Sequence, residues 1–152
     1  MDLYTASAIM SLYGKLEEQS ARFYEDLAAN ERYSEGGEVF LAFAREDKRH
    51  RGMMLRAYQE TITDAFEVVH SFSGLRESDY RIDTELTEDL SYSDILRRAA
   101  EVEERIYRFC VDVSEKSREL LDDLSHAFEG VAERKASRRL RLESLLEEHH
   151  LG

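Results

Sequence analysis

The chain of 152 residues contains no proline and a single cysteine. Without proline nothing forces a helix to break, and alanine, leucine, glutamate and arginine are plentiful, so the composition points to an all-helical fold. One cysteine, Cys110, excludes an internal disulfide and any four-thiolate metal site. Long apolar runs are missing too. No stretch approaches the roughly 18 residues that a membrane span needs, so no membrane partner is expected. Positive charge is scarce, with 21 Lys and Arg against 33 Asp and Glu and a net charge of -12. That balance argues against nucleic acid as a main partner, because phosphates would be repelled. The opening Met1-Asp-Leu-Tyr lacks a basic start and an apolar run, and the expected location is the cytoplasm. One local exception to the acidity is residues 134–141, with five basic residues in eight. On an acidic helix such a run is expected to be solvated and paired with nearby glutamates.

What the chain does have is helical periodicity, over a length that suits one domain, 1–152, with a single core. Phe40, Phe43, Ala44, Asp47, His50, Met54 and Tyr58 share one face of a helix. That face is apolar except at its middle, where Asp47 and His50 stand one turn apart. Burying an acid and an imidazole alone costs several kcal/mol, so other helices must supply their partners.

The first helix is expected over about 3–30, with the stripe Ile9, Tyr13, Leu16, Glu17, Ser20, Tyr24 and Leu27. A turn at 30–37, containing Gly36-Gly37, returns the chain antiparallel into a second helix over about 38–61. Residues 62–92 show no long period and are too many for a tight turn. They read as a crossover spanning the bundle, with a short helix near Thr63 to His70. Ser91 or Ser93 can cap a third helix over about 93–115, with Asp94 in its first turn. Its stripe is Ile95, Ala99, Val102, Glu103, Ile106, Cys110 and Val113. A fourth helix, over about 118–148, carries Leu121, Leu124, Phe128, Val131, Lys135, Arg138, Leu142 and Leu145. The expected architecture is an antiparallel four-helix bundle, two helical pairs joined by one long connection.

The two halves resemble each other. Leu16-Glu-Glu-Gln-Ser-Ala-Arg-Phe-Tyr24 lines up with Val102-Glu-Glu-Arg-Ile-Tyr-Arg-Phe-Cys110, and Phe40-Leu-Ala-Phe-Ala44 lines up less closely with Phe128-Glu-Gly-Val-Ala132. Each helix carries a polar exception near mid-length: Glu17, Asp47 with His50, Glu103, and Lys135 with Arg138. Mid-length positions of an antiparallel bundle meet at one level. The expectation is one buried cluster of three carboxylates, an imidazole and two cations.

On these residues the chain resembles the ferritin-like superfamily, and within it the rubrerythrin-like proteins. The elements are Glu17 followed seven residues later by Tyr24, Asp47-x-x-His50, and Glu103 with Cys110 where tyrosine is common. The resemblance implies a dinuclear iron or manganese carboxylate site in the bundle core, reacting with oxygen or peroxide. By that resemblance the metal ligands are Glu17, Asp47, His50 and Glu103, and the protein is a homodimer. No rubredoxin-like pair of Cys-x-x-Cys motifs is present, so redox chemistry would need an external electron donor. The fourth helix departs from the pattern. The expected Glu-x-x-His falls on Lys135-Ala-Ser-Arg138, two cations in place of a bridging acid and a ligand.

Two readings stay open, the first of them the favoured one. In one, a partly degraded site binds iron or manganese, one ion more readily than two. In the other, Lys135 and Arg138 neutralise the acids, a salt-bridge cluster replaces the metals, and the bundle serves as a partner-binding or structural protein. Asp47 with His50 is a metal half-site in the first and a structural hydrogen-bonded pair in the second. Lys135 and Arg138 face the site or snorkel to the surface. Tyr24 is a core aromatic or a partner of the site. Cys110 is expected to be a buried thiol, and His70, His126, His149 and His150 to be surface residues.

Overall fold

The computed structural model describes residues 3, 5–61, 72, 74–118 and 121–151. Four helices form the body: α1, Ala6–Ala29; α2, Gly37–Thr61; α3, Tyr92–Ser117; and α4, Asp122–Leu151. Every stripe residue read from the sequence is buried, apart from half-buried Tyr58. Residue pairing gives the directions. Ser20 meets Asp47 and Tyr24 meets Phe40, so α1 and α2 are antiparallel. Ser93 meets His150 and Ser114 meets Ser125, so α3 and α4 are antiparallel as well. Tyr13 meets Phe128 and Glu17 meets Lys135, which makes α1 parallel to α4. No helix of the described residues is long and apolar enough to cross a membrane.

The element ends have local causes. α1 starts at Ala6, later than expected, because Leu3 donates its N–H to Leu75 O (2.9 Å), outside any helix. Thr5 caps the helix instead, accepting from the N–H of Ala8. The expected turn after α1 is a 3₁₀ helix, Glu31–Gly36. Gly36 is required there by close approach, since a Cβ would fall 2.8 Å from the Phe40 ring and 2.9 Å from Tyr92 Oη. Ser91 caps α3 in a full capping box with Asp94. The α3–α4 connection, 118–121, is short. α3 persists through Ser117, and α4 starts four residues later than the periodicity suggested.

The crossover is legible from residue 74 onward, while the short helix expected near 63–70 lies outside the described residues. A 3₁₀ turn, Glu77–Tyr80, places Tyr80 against the edge of Phe109 and within 2.6 Å of Asp112. Gln19 donates to Thr84 Oγ1 (3.1 Å), Arg98 donates to Glu85 O, and Tyr33 Oη donates to Leu90 O (2.7 Å). The segment thus climbs the seam between α1 and α3 from the level of Asp112 to that of Tyr33.

Two aromatic layers divide the core. Tyr13, Phe109 and Phe128 pack together in one, and Phe23, Tyr24, Phe40 and Phe43 in the other. Burying each such ring contributes roughly 1.5–3 kcal/mol, and together they bound the level between them at both ends. That level holds the polar exceptions of all four helices.

Candidate functional site

Glu17, Asp47, Glu103, Lys135 and Arg138 are all at most 1% exposed, and His50 is 8% exposed. Lys135 and Arg138 therefore face the site rather than the surface. Lys135 Nζ donates to Glu17 Oε1 at 2.6 Å and to Asp47 Oδ1 at 2.8 Å. Arg138 Nη1 donates to Asp47 Oδ1 and, at 3.2 Å, to Glu103 Oε1. Its Nη2 donates to Phe43 O (3.2 Å), and its guanidinium lies 4.8 Å over the Phe43 ring.

Three members escaped the sequence reading. Ser20 Oγ donates to Asp47 Oδ2 at 2.6 Å, and Tyr13 Oη donates to Glu17 Oε2 at 2.6 Å. Glu46, beside Asp47 and half-shielded, accepts from Arg138 Nε and Arg134 Nη2, both at 2.9 Å. Ser20 and Tyr13 stood in the stripe of α1, one helical turn either side of Glu17, which was the available signal. The rest of the basic run follows its expected pattern, with Arg139 on Glu104 and Glu143 and Arg141 near Glu148.

Charge inside the cluster is distributed unevenly. Burial would raise the Glu17 carboxyl, but the Lys135 ammonium and the donors around it hold it down at about 2. Burial pushes Glu103 up to about 7, and Asp47 and Glu17 add to the push against the opposing cations Lys135 and Arg138. Both cations are held firmly charged, since their acid neighbours outweigh the cost of burial. Burial and the Glu103 carboxylate raise Tyr24 well above the phenol range, while burial and Glu17 raise the Cys110 thiol. Among the described residues, three buried polar atoms here have no hydrogen-bond partner: His50 Nδ1, Glu103 Oε2 and Tyr24 Oη.

Glu17, Asp47 and His50 each offer a ligand atom within 4.8 Å of the others, a group that could hold a metal ion. Among the described residues Glu103 is not one of that set and meets Asp47 only through Arg138. Of the expected surface histidines, His126 is exposed, and His149 packs its ring against Tyr92 with Nδ1 3.2 Å from Glu35. His70 lies outside the described residues.

An antiparallel bundle with a long crossover and inward carboxylates at mid-length defines a ferritin-like protein. The chain belongs to the rubrerythrin family, whose sequence model matches residues 14–134. The match takes in Glu17, Asp47, His50 and Glu103 and stops one residue before Lys135. No curated protein and no solved structure gave a significant match.

Proposed function

We propose that this is a rubrerythrin-family bundle whose centre is closed by its own cations in place of metal ions, a non-redox member that acts through its surface. The observation that carries this reading is Lys135 Nζ, within hydrogen-bond distance of both Glu17 and Asp47. An ion bridging those two carboxylates would need the same position. A divalent ion roughly 4 Å from the ammonium would be opposed by about 8 kcal/mol at an effective dielectric near 20. The cluster needs no further cation either. Lys135 and Arg138 offset Glu17 and Asp47, and Glu103 is the acid able to keep a proton. The dinuclear centre implied by the family does not fit these residues, and no oxidative step follows from them.

A second reading is favoured by His50. Its Nδ1 is buried and unpartnered, 3.6 Å from Glu17 Oε2. Oxygen and imidazole donors suit one hard divalent ion such as ferrous iron or manganese, provided Lys135 withdraws. Metal content per purified chain, followed by manganese titration with thermal midpoints, separates the two. The first reading expects no stoichiometric metal and no shift in the midpoint. One equivalent with a rising midpoint supports the second, and two equivalents defeat both.

A further inference from the structure

Away from the core cluster, α2 and α4 enclose a groove of about 580 Å³ on the bundle surface. Lys48, Arg49, Gly52, Met53 and Arg56 of α2 line it, and Arg134 of α4 faces them. Glu46 is the one carboxylate among the described residues that line it. Four cations thus gather around one acid, in a chain with 33 acidic and 21 basic residues.

The local acid is also shared among several cations. Glu46 is bound by Arg138 and Arg134, with Arg49 4.0 Å away. Lys48 reaches to the other side of its helix, to Glu25 at 3.3 Å. Among the described residues Arg56 has neither a hydrogen bond nor an ion pair. An anion seated here would complete a charge balance that the protein itself leaves open.

His50 also lines the groove, with its Nδ1 turned away toward Glu17. The groove is open at Gly52, where a Cβ would meet nothing within 4 Å. Met53, 43% exposed, supplies an apolar wall beside the cations. Guanidinium forks match the oxygens of a phosphate dianion, and an apolar wall suits an organic group attached to it.

We propose that the α2–α4 groove binds a small phosphate monoester, its phosphate held by Arg49, Arg56 and Arg134 and its organic body against Met53. This inference is independent of what occupies the core.

Calorimetric titration of the full chain with phenyl phosphate, inorganic phosphate and phenol tests it at low and high salt. Phenyl phosphate should bind more tightly than inorganic phosphate, with affinity falling as salt rises, and phenol should not bind. The double variant Arg49→Glu, Arg56→Glu should weaken phenyl phosphate at least about tenfold, with only a small fall in its thermal midpoint, because both side chains are exposed and the one pair lost is that of Arg49 with Glu46. A control variant, Arg22→Glu with Arg97→Glu, carries the same charge change on other faces and should bind as the wild type does. No heat with either phosphate at millimolar concentration overturns the proposal. So does equal weakening by the control, which would reduce the effect to net charge. Binding of inorganic phosphate alone, or phenyl phosphate binding unchanged in Met53→Ser, removes the organic ligand.

Discussion

Ser20 Oγ donates to Asp47 Oδ2, on the side of the carboxylate opposite the oxygen that Lys135 and Arg138 share. Asp47 therefore has both oxygens engaged. Glu17 is in the same position, with Lys135 on one oxygen and Tyr13 on the other. A newcomer to this site must break charge-assisted hydrogen bonds that are already made.

Removing one cation should be costly. Lys135→Met leaves Glu17 and Asp47 facing each other in a dry site, and the expected loss is about 3–5 kcal/mol. Adding Glu17→Gln should return part of it, because one of the two stranded charges is then gone. Urea unfolding of the three proteins checks the order. A single variant within about 0.5 kcal/mol of the wild type would mean the cluster is not holding the bundle together.

Restoring the family pattern should restore an appetite for metal. Lys135→Glu with Arg138→His removes two cations and supplies a bridging acid and a second imidazole. The apo protein should be less stable than the wild type, with four acids crowded together. Manganese at a hundredfold excess over its dissociation constant should return about 2.7 kcal/mol, read from the thermal midpoint. An apo variant as stable as the wild type, taking up no metal, would contradict the view that Lys135 and Arg138 stand in for it.

Stability should respond to pH on two sides. Glu17 titrates at about 2 against an ordinary value of 4.5, so its contribution is complete above 4.5 and is lost as pH falls toward 2. Glu103 is shifted the other way, to about 7, so the folded state favours its protonated form. Its effect is therefore a loss of stability as pH rises from 4.5 to about 7. Glu103→Gln should flatten the neutral side of the profile and leave the acid side in place. Urea midpoints at half-unit pH intervals would show this, and parallel profiles for the two proteins would refute it.

Adjacent glycines should behave oppositely. Gly36→Ala drives a Cβ into the Phe40 ring and Tyr92 Oη, and about 1–3 kcal/mol should be lost. Gly37→Ala meets nothing within 4 Å at a helical φ of -53° and should gain roughly 0.4–1 kcal/mol. Equal effects in chemical denaturation would mean the turn is looser than its contacts imply.

Much of this was legible in the sequence because burial imposes a period. Glu17, Asp47, His50 and Glu103 stood out as charges inside apolar stripes, and the repeat put Lys135 and Arg138 at their level. The same logic hid the partners that look ordinary. Tyr13 and Ser20 fit a core stripe without needing explanation, and Glu46 sits one residue off the stripe of α2, where a glutamate normally meets solvent. Distances between helices were out of reach. Arg138 stands between Asp47 and Glu103, so Glu103 is not in the group of potential ligands although its spacing repeats that of Glu17. The crossover has no period, and its place over the α1–α3 seam depends on single contacts such as Tyr80 to Asp112.

The cluster also gives the two halves of the chain opposite characters. α1 and α2 bring Glu17 and Asp47 to the centre, while α4 brings Lys135 and Arg138. In a repeated architecture the halves are alike enough to pair with copies of themselves, the first hairpin of one molecule with the first hairpin of another. Here pairing of two first hairpins would press four carboxylates together, and pairing of two second hairpins would set four cations against only two copies of Glu103, in a buried space. The charge reversal on α4 thus acts as a key between halves. It favours the union of unlike hairpins and penalises the pairing of like ones.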